Sequence, residues 1–183
     1  MKKFATPNVL GDVAYILSSS EAKAIESANI LAERLTLQVQ IEEELHKNDR
    51  SATGILPPPE FEATADQFFA YPNESIRGWE RAVDAQTRIV KAVDRVIAAS
   101  PNGDVAIVAH GGVGTLLVRA HLRSPISRRF DQPNQGQDLV LHRNPRRAAS
   151  MEVDLAHQGS SSPVVACQKR PEFSMLTSSM RAR

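Results

Sequence analysis

Apolar and polar positions along this chain change period several times, and each change marks an element. Val13 to Leu17 is a short apolar run opened by Asp12 and closed by Ser18-Ser19-Ser20, the profile of a strand entering a polar turn. From Glu21 to Leu35, Ala24, Ile25, Ala28, Ile30, Leu31 and Leu35 recur near helical spacing, with the serines placed to cap the helix. Leu37, Val39 and Ile41 alternate with glutamines, which predicts a short half-exposed strand. Strand, turn and helix form the first half of a βαβ unit.

Between Glu42 and Pro59 the chain is polar and then rigid. Pro57-Pro58-Pro59 is expected to exclude regular helix and inner strand, so the segment reads as a loop over the strand ends. Phe61, Phe68 and Phe69, interleaved with Glu62 and Asp66, predict a short amphipathic helix covering the core. A longer helix is predicted from about Ser75 to Ala99. Its apolar stripe holds Trp79, Ala82, Ile89, Val93 and Val96, while Arg81, Asp84, Arg88, Lys91 and Arg95 lie elsewhere. Trp79 reads as a packing residue on that stripe.

Val105 to Ala109, bounded by Asn102-Gly103, reads as a parallel strand covered on both faces. It ends in His110, and Gly111, Gly112 and Gly114 then turn the chain into a helix begun near Thr115. Ligands of open α/β sheets sit at the carboxyl ends of strands, and glycines let backbone N–H groups approach an anion there. His110 therefore marks the edge of an oxyanion or phosphate pocket, or else is a buried histidine bonded to a neighbouring carbonyl. The whole pattern predicts an α/β fold, a three-layer sandwich with a mostly parallel central sheet flanked by helices.

Composition narrows the partners. The 183 residues, 42% hydrophobic, suit one domain with a real core. A formal net charge of +1 argues against nucleic acid or a membrane surface as partner. The single cysteine, Cys167, permits no internal disulfide and favours a reducing compartment. With no long apolar run after Lys2-Lys3, neither a signal peptide nor a membrane span is expected, and a cytoplasmic location follows. Gly111 to Thr115 has a superficial likeness to a nucleotide-binding P-loop. His110 and Thr115 stand where such a loop carries lysines, so the charge that holds β- and γ-phosphates is missing.

Three stretches together carry a family resemblance. Ser18-Ser19-Ser20-Glu21-Ala22-Lys23-Ala24 through Ala28 resembles the serine turn and helix of the histidine phosphatase superfamily, the phosphoglycerate-mutase-like fold. Asn73-Glu74-Ser75 resembles its Gly-Glu-Ser acid motif, and Val108-Ala109-His110-Gly111-Gly112 its second histidine motif. The resemblance runs from Val13 to Gly136, in the family's order. Asp49 to Gly54 and Arg129 to Pro133 look like a bacterial-type branch. It implies phosphomonoester hydrolysis or transfer through a phosphohistidine, without cofactor or metal, on a phosphorylated small molecule. Carried onto this chain, His110 is the second, phosphate-binding histidine and Glu74 the proton donor. Lys23 stands where the family places an arginine, and Ser27, Gly111 and Gly112 complete the substrate-binding set. Taken alone, Glu74 also reads as a helix N-terminal acid, and Lys23 as an ordinary surface lysine.

The front departs from that pattern. The family opens on a strand ending in Arg-His-Gly, whose histidine accepts the phosphoryl group, whereas no histidine precedes His46 and residues 1–12 hold no arginine. His46 follows no strand in this reading. The sequence thus predicts a short lead over 1–12, a histidine-phosphatase-like domain over 13–136 lacking its first strand, and exposed sheet edges. An Arg-, Ser- and Pro-rich tail over 137–183 is expected to be poorly ordered, and His142 and His157 have no partners at metal-site spacing. The chain reads as a fragment of a longer parent, weakly active or inactive, or as a non-catalytic phosphate-binding or structural protein of the same fold.

Overall fold

The computed structural model describes residues 13–99 and 104–130, together with strands at 139–143, 151–155 and 164–167. Three parallel strands form the heart of the fold: β1 (Val13–Ser18), β2 (Val39–Ile41) and β3 (Asp104–Ala109), in the order β2-β1-β3. Four α-helices accompany them: α1 (Ala22–Leu35), α2 (Pro58–Ala70), α3 (Ala82–Ala99) and α4 (Gly111–His121). Among the described residues, no helix is long and apolar enough to cross a membrane.

Alternation along the strands divides the core. Ile16, Ala106 and Val108 pack with Ala24, Ala28 and Leu31 of α1, whereas Leu17, Val105 and Ile107 pack with Ile89 and Val93 of α3 and Val113 and Leu117 of α4. Successive side chains of a strand point to opposite faces, so these two clusters cover the sheet from both sides. A third cluster joins Phe68 and Phe69 of α2 to Trp79, Ala82, Ala85 and Leu116. It ties the predicted Phe-rich helix to α3 and α4.

Four local expectations need correction. Pro58 and Pro59 open α2 rather than exclude it, because the first helical positions have no intrahelical acceptor for the N–H that proline lacks. The long helix starts at Ala82, not Ser75: Ile76–Gly78 is a separate 3-10 turn in which Arg77 (φ 52°) and Gly78 (φ 80°) are left-handed. The serine turn does not cap α1 either. Glu21 occupies the cap position without a side-chain bond, while Ser18 Oγ donates to the Ser19 carbonyl at 2.9 Å. Helix α4 begins at Gly111, one turn ahead of the expected Thr115.

Beyond Gly136, β4 (Leu139–Arg143) and β5 (Met151–Leu155) form an antiparallel pair, and β6 (Val164–Cys167) pairs antiparallel with β3. The edge of β3 expected to lie open therefore carries β6. The lead over 1–12 and much of the tail, His157 included, lie outside the described residues.

Candidate functional site

Strand register builds the site. Ser18 of β1 lies beside Val108 of β3, and the Ser19 N–H continues the pairing by donating to the Val108 carbonyl at 3.0 Å. The last residues of both strands thus meet at one end of the sheet. His110, extended (φ −113°, ψ 149°), caps α4 there, and its carbonyl accepts the Gly114 N–H at 2.9 Å.

His110 Nε2 lies 3.2 Å from Ser19 Oγ and 3.0 Å from Glu21 Oε2, the carboxylate contact lacking hydrogen-bond alignment. Both oxygens approach the same ring nitrogen. A serine-hydrolase triad needs the acid on Nδ1 and the serine on Nε2, so this is not one. Burial pushes His110 below the ordinary imidazole value, against the Glu21 carboxylate, which raises it; Lys47 and Arg50 lower it further. Burial would also raise Glu21. Hydrogen bonds from Ser19 and the Lys47 N–H, together with the charge of His110, overcome that and hold its carboxyl at about 2. At neutral pH the pair is a carboxylate beside a neutral imidazole.

Glu21 opens onto a cleft of about 910 Å³. One wall is the segment from His46 to Ser51, and the other is Ile55, Leu56, Phe61 and Trp79. The first wall is moored to α3 from below. Arg88 donates to the carbonyls of Glu44 (2.8 Å) and His46 (3.0 Å) and pairs with Glu80 at 2.9 Å, while Glu80 Oε2 accepts the Asp49 N–H at 3.1 Å. Trp79 keeps its expected packing role, 3% exposed, but its Nε1 also donates to Thr53 Oγ1 at 2.8 Å.

Besides Glu21, whose buried Oε2 lacks a hydrogen-bond partner among the described residues, two cleft residues stand out by what they lack. Asn48 is 7% exposed, its Nδ2 is buried without a hydrogen-bond partner among the described residues, and its Oδ1 lies 4.0 Å from where a Cβ on Gly112 would stand. Buried polar groups are normally paired, so an orphaned donor beside a helix N-terminus calls for an acceptor. Arg50 lies over the rings of Phe61 (5.1 Å) and Trp79 (5.5 Å), and among the described residues no acceptor takes a hydrogen bond from its guanidinium.

His110, Gly111 and Gly112 follow one another at the start of α4, and none of the three lines the cleft. Lys23 is exposed on the first turn of α1, and Ser27, half-buried, lies one turn farther along that helix. Glu74 is exposed in the turn after α2, where its N–H bonds the Tyr71 carbonyl; it does not line the cleft. Sequence reasoning missed Ser19, Glu21, Asn48 and Arg50 as site residues. The one available signal was the dense polar run Lys47 to Ser51, which carries five hydrogen-bonding side-chain types without helical or strand period. His46, set aside for want of a preceding strand, lines the cleft, with Nδ1 bonded to the Lys47 carbonyl at 2.6 Å.

The model of the histidine phosphatase superfamily (branch 1) matches residues 6–150. This chain belongs to that superfamily. The match begins ahead of β1, within the segment expected to be only a lead, and ends beyond Gly136. Solved histidine-phosphatase-like structures share the fold. One titled mycobacterial hydrolase 2 is 24% identical, with a TM-score of 0.63 over 86% of this chain and 76% of its own. A mycobacterial glucosyl-3-phosphoglycerate phosphatase complexed with inorganic phosphate is 23% identical, with a TM-score of 0.60 over 84% and 81%. Bacillus stearothermophilus YhfR is 20% identical, with a TM-score of 0.59 over 78% and 73%. A search of curated proteins found no match.

Proposed function

We propose that this histidine phosphatase superfamily chain binds the phosphoryl group of a phosphorylated small molecule at the end of β3, and hydrolyses it slowly or not at all. The observation that carries the reading is Asn48: a buried donor without a partner, beside Gly112 at the start of α4 and on the cleft wall. His110 supplies a ring N–H, the Gly111 and Gly112 turn supplies close backbone approach, and Lys23 and Ser27 of α1 are assigned to the substrate as in the family pattern. In this scheme Glu74 remains the proton donor that the family motif assigns. Relatives of the same fold crystallised with phosphate and with vanadate support an anion as occupant.

Low turnover rests on the sequence. The family route passes through a phosphohistidine, and none of residues 1–45 is a histidine. We assign the function to residues 13–136 and, from the lone Cys167, place the protein in the reducing cytoplasm.

An aryl phosphate assayed without added metal, beside a His110→Ala control, tests this. Rates near the uncatalysed background are expected for both. Rapid turnover that His110→Ala abolishes would show that another residue accepts the phosphoryl group and would overturn the low-activity half of the proposal.

A further inference from the structure

We infer that the cleft takes a phosphomonoester carried on an apolar or aromatic group, with Arg50 gripping the phosphoryl oxygens and Ile55 and Leu56 receiving the organic part. The inference rests on the phosphomonoester reading above and names its substrate class.

Arg50 is preorganised for an anion. Two rings hold its guanidinium in place, which lowers the ordering cost of a bidentate contact. Its N–H donors have no acceptor among the described residues, although carboxylates are near. Glu21 accepts the Lys47 N–H at 2.9 Å through Oε1 while its buried Oε2 has no hydrogen-bond partner among the described residues, and Asp49 Oδ1 accepts the Ser51 N–H at 2.8 Å. Arg50 lines the same cleft as Glu21, whose carboxylate lies 3.0 Å from His110 Nε2. A phosphoryl group there would meet a planar fork matched to two of its oxygens, the strongest kind of charge-assisted contact.

Size and chemistry decide what the phosphoryl group is attached to. A cleft of about 910 Å³ lies near the top of the range for small-molecule sites, far beyond what inorganic phosphate fills. The wall beside Arg50 offers little to a sugar. Ile55 and Leu56 have no side-chain donor or acceptor, and the indole N–H of Trp79 is already committed to Thr53. Hydroxyls against such a surface would lose water without replacing its hydrogen bonds, whereas an apolar group gains by burial. Ile55 in particular stands wholly in solvent, at 102% relative exposure. An isoleucine so placed on a cleft rim is apolar surface available to a ligand.

Binding of phenylphosphonate, methylphosphonate and inorganic phosphate to the full chain, measured by calorimetry, separates the claims. Phenylphosphonate is expected to bind about tenfold tighter than methylphosphonate. Replacing Ile55 and Leu56 with Asn should shrink that gap to about twofold while leaving methylphosphonate affinity unchanged. Arg50→Lys, which keeps charge but loses the fork, should weaken both ligands about tenfold and leave their ratio intact. Equal affinity for the two phosphonates, or an Arg50→Lys variant that binds as the parent does, overturns the inference while the phosphate site stands. If the folded chain binds none of the three, the phosphomonoester reading fails and this one with it.

Discussion

Glu21 Oε2 lies 3.0 Å from His110 Nε2, so the first residue after the β1 turn and the first residue after β3 are electrostatically joined across 89 positions of sequence. The join has a pH signature. Glu21 is held at about 2 against an ordinary 4.5, so its contribution to stability is present above 4.5 and is lost as pH falls toward 2. Glu21→Gln should flatten acid unfolding in that window, removing on the order of 1–2 kcal/mol of pH-dependent stability after solvent screening. The same substitution removes the carboxylate that raises His110, so the imidazole should titrate lower still; an NMR titration of its ring protons reads this directly. An imidazole that titrates higher in Glu21→Gln would contradict the assignment.

Asn48 predicts a separation of stability from binding. Its buried Nδ2 has no partner, so Asn48→Ala should cost less than about 1 kcal/mol, because the orphaned amide leaves together with its desolvation penalty. Phosphate affinity should nevertheless fall about tenfold, the worth of a hydrogen bond to a charged group. Urea unfolding and calorimetric titration of one protein sample read the two effects.

Arg88 predicts the opposite pattern. It is 12% exposed, pairs with Glu80 and carries the carbonyls of Glu44 and His46, so it holds the cleft wall to α3. Arg88→Ala should cost about 3 kcal/mol, since Glu80 is left as a half-buried charge and two carbonyls lose their donor. The urea midpoint should drop with the slope unchanged. A midpoint within error of the parent would show that solvent replaces these bonds at no cost.

These residues also show what the sequence made legible. Apolar periodicity located β1, α1, β2, α3 and β3, because one buried face repeats at two or 3.6 residues in each. The strand ending in His110 and glycine marked the candidate site, since that composition at a strand end is restrictive. Hidden from that reading was the wall from His46 to Ser51, held not by periodic burial but by pairwise bonds to Glu80 and Arg88, more than 30 positions away. The start of α3 was misplaced for a similar reason. Apolar spacing runs on through Ile76 and Trp79, and only backbone conformation at Arg77 and Gly78 separates the 3-10 turn from the helix.

Gly78 gives a backbone test of the same wall. With φ at 80°, an alanine there would be strained, and its Cβ would stand 2.7 Å from the Ala52 Cβ. Gly78→Ala should destabilise by about 1–3 kcal/mol and displace the loop around Ala52, which carries Arg50. The lone tryptophan, Trp79, adjoins both, so its fluorescence should shift in the native variant. An unchanged spectrum and unfolding temperature would mean that the turn relaxes freely.

The account turns on a phosphoryl site beside His110 at the end of β3. Calorimetric titration of inorganic vanadate into the parent and His110→Ala tests it most directly, with circular dichroism confirming that both are folded. Loss of affinity by about tenfold or more in the variant is the predicted result, since the ring donor assigned to the anion is removed. Equal affinity in the two proteins would place the anion elsewhere and contradict the account.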